Sequence, residues 1–177
     1  MAEQEDAMEA VEDLKARARI LHREAREEVP GALSRLRAHP ELADLDGSVV
    51  ADRVQRKHCL WVVAREHGFR DWVHARTVLS ADGQVPDFGT LLVPSRCCVH
   101  WNIWSADYDE ARRIRSEHGG YLLAYRNQFL IVDEHYLETL GLGADDPDWA
   151  AIGRDWVKPL NPLARARLYA RLLRGAA

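Results

Sequence analysis

The spacing of apolar residues changes character along this chain, and that change limits the fold more than any single motif does. From Met8 to Ala25 the positions Val11, Leu14, Ala18, Leu21 and Ala25 recur at alternating intervals of three and four, which places them on one face of an α-helix. Helical spacing continues to about Leu79. Around Cys97–Trp104, Tyr121–Tyr125 and Gln128–Val132 it gives way to β-branched and aromatic runs of strand length. It returns from Glu134 onward. The pattern predicts an α+β fold: a helical N-terminal module over residues 1–80, then a small antiparallel sheet flanked by C-terminal helices over residues 87–177. A core shared by the two parts is left open.

Proline, glycine and capping residues divide the pattern further. Pro30 closes the first helix near Val29 and opens a short one with Leu33 and Leu36, which stops at His39-Pro40. Ser48 caps a helix running to Gly68 with Val50, Val54, Trp61 and Val62 inward, and Asp71-Trp72 opens another to about Leu79. Ser80 to Pro86 reads as a linker. Cys97–Trp104 is predicted as one strand with Cys97, Val99, Trp101 and Ile103 on one face and Cys98, His100, Asn102 and Trp104 on the other. A helix over 107–118 and a hairpin turning at Arg126-Asn127 follow. Helices over 134–140, 147–156 and 161–173 complete the chain, with Asp146-Pro147 as a strong start signal.

The string Val63-Ala64-Arg65-Glu66-His67-Gly68-Phe69-Arg70-Asp71-Trp72, together with Leu14-Lys15 in the leading helix, resembles a small helical module of bacterial proteins. Such modules precede ankyrin repeats or occur in glyoxalase-related proteins, and the resemblance covers roughly residues 13–79. A glutamine often found about six residues before the alanine is His58 here, and no ankyrin repeats follow. The resemblance implies an accessory helical role and transfers no catalytic residue. The C-terminal half is not matched to a family by its residues.

Charge and cysteine usage bound the function. Among 177 residues, 24 Lys and Arg face 28 Asp and Glu, for a formal charge of −4, so no bulk cationic field recruits nucleic acid or anionic lipid. The charge-free run Cys97–Ala106 is about half of the ~20 residues needed to span a bilayer, and no membrane association is expected. The acidic opening MAEQEDAMEAVED is unlike a secretory signal, and three cysteines cannot all pair within one chain. The cytoplasm is the expected compartment.

Cys98 and His100 are the weak catalytic candidates, since a thiolate beside an imidazole is the nucleophile and base of many hydrolases and also a metal-ligand pair. Two ligands do not make a centre, so no metal or cofactor is assigned. Trp104, Tyr121, Tyr125 and Gln128, with Trp101, form a candidate partner or ligand surface of flat amphipathic groups. Arg165, Arg167, Arg171 and Arg174 give the last helix a basic face. The leading reading is a cytoplasmic accessory or protein-interaction module that meets a protein partner or its own copy. The rival is a small enzyme or ligand-binding protein with a pocket between the sheet and the C-terminal helices. Nucleic-acid binding through the basic helix is third, with a solvated face the simpler account.

Overall fold

The apolar stripe that opens the sequence lies along α1 (Ala2–Arg26), where Val11, Leu14, Ala18, Leu21 and Ala25 are all buried. The computed structural model describes residues 2–80 and 85–175, with side chains from residue 9 onward, so residues 81–84 of the expected linker lie outside the described residues. After an extended Val29, α2 (Pro30–Leu36) starts on its proline, where a missing N–H costs nothing. The single helix expected from Ser48 to Gly68 is in fact two, α3 (Gly47–Arg53) and α4 (Arg56–Glu66). The backbone becomes extended at Val54 and Gln55, and the Gln55 amide donates to His58 Nδ1 at 3.1 Å. An imidazole three residues on thus plays the part that a Glu or Gln usually plays in a capping box.

Helix α4 ends as its glycine predicts. Gly68 has φ +81°, and the Phe69 amide returns to Ala64 O at 3.0 Å while its ring is buried. A Cβ at Gly68 would stand 2.3 Å from Thr90 Oγ1 and 2.9 Å from the Leu91 amide nitrogen, so only glycine lets the two segments approach. Helix α5 (Trp72–Ser80) follows, with Asp71 Oδ1 accepting the His74 amide at 2.8 Å.

The stretch Phe88, Gly89 and Thr90 straps this helical region to the second half. The Thr90 amide donates to Gly68 O at 2.9 Å, the Phe88 amide to Arg126 O at 2.9 Å, and the Arg126 amide to Gly89 O at 2.8 Å.

Beyond it come a 3-10 turn at Ser95–Cys97, β1 (Ile103–Ser105), α6 (Tyr108–His118), β2 (Tyr121–Tyr125), β3 (Gln128–Val132), α7 (Glu134–Leu140), α8 (Pro147–Ala151) and α9 (Pro162–Gly175). The fold is α+β, with a three-stranded antiparallel sheet in the order β1-β3-β2. The strand expected over Cys97–Trp104 shrinks to its last residues. Amides of Cys97, Cys98 and His100 donate back to Pro94, Ser95 and Cys97 carbonyls at 2.9, 3.1 and 3.2 Å, so tight turns take up the groups a ladder would need. The helix expected to reach Trp156 stops at Ala151, because Gly153 (φ +69°) and Arg154 (φ +54°) turn the chain. Asp155 then makes a parallel bridge to Leu122 beside β2.

Helix α9 packs along α1, and buried apolar residues from Ala10 to Leu173 form one continuous cluster. Within it four aromatics interlock: Tyr121 with Trp149 at 5.1 Å, Trp149 with Trp156 at 5.5 Å, and Trp156 with Tyr169 at 4.8 Å between ring centres. Among the described residues no helix is long and apolar enough to cross a membrane.

Candidate functional site

Strand β1 is an edge: it pairs with β3 and, among the described residues, has no strand on its other side. The chain reaches it through Val99 and Trp101, which are 79% and 98% exposed, and Ile103 and Trp104 on the strand are each 45% exposed. Pairing of Trp104 with Leu130, of Leu130 with Leu123, and of Tyr125 with Gln128 puts Trp104, Tyr125 and Gln128 on one face of the sheet. The Trp104 ring meets Tyr125 edge-on at 5.8 Å, and the Arg126 guanidinium lies 5.4 Å from the centre of the Tyr125 ring. Three of the four residues predicted for this surface are therefore together. Tyr121 is the correction: it is buried at the far end of the same face, under Trp149, and its hydroxyl donates to Ala144 O at 3.2 Å. It shares the face of Tyr125, but the packing of α8 covers that end.

Cys98 and His100 do not assemble a catalytic pair. The Thr139 hydroxyl donates to His135 O at 3.0 Å and so accepts from His100 Nε2 at 2.8 Å, which commits that nitrogen as a donor. Cys98 is exposed. Cys97 is buried, and burial pushes its thiol up, the opposite of what an activated nucleophile needs.

The basic face of α9 is consumed internally. Arg165 is buried and donates to Trp156 O at 2.9 Å. Arg167 and Arg171 both pair with Asp148, Arg171 also reaches Asp146 at 2.8 Å, and Arg174 pairs with Glu9. Burial alone would push the Asp148 carboxyl up, but the bonds and charges of Arg167 and Arg171 outweigh it and hold the group below its ordinary value.

One cluster escapes sequence reading altogether. His39, Glu41 and His58 bring one ligand-capable atom each within 4.8 Å of the others, and among the described residues Cys98 and His100 join no such group. The Glu41 amide donates to His39 Nδ1 at 3.2 Å, as the Gln55 amide does to His58 Nδ1. A nitrogen that accepts carries no proton, so each neutral ring is protonated at Nε2, and His58 Nε2 donates to Glu41 Oε2 at 3.1 Å. A metal ion would need those Nε2 lone pairs, so the donor set does not fit one. The cluster ties the loop after α2 to the start of α4.

A cleft of about 810 Å3 opens where α1, the Gly68 turn and the segment through Arg96 meet. This is not the predicted position between the sheet and the C-terminal helices. Arg17, Arg35, Arg65 and Arg96 line it with a single carboxylate, Glu66. These arginines are scattered over some eighty positions, and composition gives no sign of their convergence. Comparison with protein-family models, with curated proteins and with solved structures finds no match.

Proposed function

We propose that this chain is a protein-interaction module that docks through the exposed edge of its sheet, and that the partner is a second copy of the same chain. The observation that carries the reading is Trp101, 98% exposed beside the unpaired edge of β1. Leaving a large apolar side chain in water forgoes about 1.5–3 kcal/mol that a covering surface would recover. No formal charge falls between Cys97 and Ala106, so two copies related by a twofold axis can bring this edge together without like-charge repulsion. An antiparallel meeting of two edge strands would also satisfy outward-facing backbone groups. The resemblance of residues 13–79 to accessory helical modules supports a role in contact rather than catalysis, and cysteine usage supports a reducing, cytoplasmic setting.

Sedimentation of the full chain over roughly 1–100 μM tests the reading. A concentration-dependent dimer is expected, and Trp101→Ser with Trp104→Ser should render it monomeric. At a concentration where both are monomeric, the unfolding free energy of the Trp101 variant should stay within about 0.5 kcal/mol of wild type, as for a substitution at an exposed site. A wild-type monomer at every concentration, or a dimer indifferent to both substitutions, overturns it.

A further inference from the structure

We infer that the arginine-lined cleft beside the Gly68 turn binds a small organic dianion: two oxyanion charges carried on an apolar body. The inference is independent of docking through β1.

Two of the four arginines lining the cleft lack a carboxylate partner among the described residues. Arg35 is neutralised by Glu66 through bonds of 2.8 and 2.7 Å, and Arg17 by Asp13 at 2.8 Å. Arg65 and Arg96 have no carboxylate partner among the described residues. Arg65 is exposed on α4 with its guanidinium 5.6 Å from the centre of the Trp61 ring. Arg96 donates from Nε and Nη2 to Thr139 O and Leu140 O at 3.0 and 2.8 Å, which fixes the guanidinium at the end of α7 without cancelling its charge. His67 adds no third cation. Its Nδ1 donates to Val63 O at 2.8 Å, so Nε2 carries the lone pair that faces Arg17 Nη1 at 3.3 Å, and burial holds the ring below its ordinary value.

Arg65 and Arg96 both line this one cleft, and in a chain whose net charge is −4 they make a local field opposite to that of the whole molecule. Guanidinium bonds phosphate and carboxylate oxygens in pairs. The wall also carries Ile20, Leu91, Val93 and Leu172 beside the polar His67, Thr90 and Ser95, and a bare inorganic anion would leave the apolar part of that surface unused. Phosphate monoesters and dicarboxylates both supply the required charge, and each needs an apolar group attached to it.

Calorimetric titration of the full chain with phenyl phosphate, phthalate and inorganic phosphate tests this. At least one aromatic dianion should bind with a Kd on the order of 1 mM or tighter, and which of the two binds better identifies the headgroup. Inorganic phosphate should bind about tenfold more weakly. Arg65→Gln should weaken aromatic binding about fivefold or more, while Arg113→Gln, on the exposed side of α6, should not. Since Arg96 also closes α7, Arg96→Lys, which keeps the charge, complements Arg96→Gln; the Gln variant should lose more binding. The inference is overturned by absence of aromatic binding, by equal affinity for inorganic phosphate, or by affinity that Arg65→Gln leaves unchanged. Failure of the dimer would leave these outcomes untouched, and the converse holds.

Discussion

His67 has one proton and two demands on it. Its Nδ1–H is spent on Val63 O, and its Nε2 lone pair on Arg17, so a second proton would both remove an acceptor and set two cations face to face. Burial, with Arg17 adding to it, lowers the affinity of the folded ring for that proton, as burial and then His58 do for His39. The sign follows from linkage. The unfolded chain protonates these rings near pH 6.5 and the folded chain only below that, so their contribution is complete above about pH 6.5 and drains away as the pH falls through the lower folded values. The urea midpoint should therefore be lower at about pH 5.5 than at about pH 7.5. Replacing His67 and His39 by Gln should flatten that difference; an unchanged slope in the double variant would assign it to carboxylates instead.

Between elements, the contact of greatest consequence is that of α8 with α9. Asp148 is buried and serves two arginines, so Asp148→Asn removes the carboxylate they share, with Arg171 keeping Asp146, and should cost about 2–4 kcal/mol in urea unfolding. Arg174→Gln, which breaks an exposed pair with Glu9, should cost less than about 1 kcal/mol. The helices themselves were legible, because apolar periodicity reports burial directly: α6, α7 and the β2–β3 hairpin lie within a residue or two of their predicted spans, while α1 starts six residues before the apolar stripe that predicts it. Breaks were less so. The stop between α3 and α4 depends on a histidine acting as a cap, and the shortening of β1 on backbone bonds among Pro94 to His100, neither of which has a periodic signature. Of the candidate surface residues, Trp104, Tyr125 and Gln128 were legible as flat amphipathic groups around the hairpin, while their common face depends on the register of three strands. The cleft was not, since Arg17, Arg35, Arg65 and Arg96 meet only through tertiary packing.

At the scale of the molecule, α1 and α9 lie against each other and the buried cluster runs from one half to the other without interruption. A helical module of residues 1–80 cut away from the rest would expose the face of α1 that α9 covers. Unfolding followed by far-ultraviolet circular dichroism, which weights the helices, and by tryptophan emission, dominated by residues of the second half, should give coincident transitions. Two separated midpoints would show that the halves fold as independent units.

The strap through Phe88, Gly89 and Thr90 bears on where the chain can be lengthened. Hairpin tips ordinarily tolerate inserted tags and reporters, because their backbone is solvated and holds nothing together. Here both polar backbone groups of Arg126 are engaged by Phe88 and Gly89, and Thr90 carries the connection on to Gly68. An insertion between Arg126 and Asn127 would thus pry at the seam between the two halves, and the tip of this hairpin belongs to the joinery of the protein rather than to its periphery.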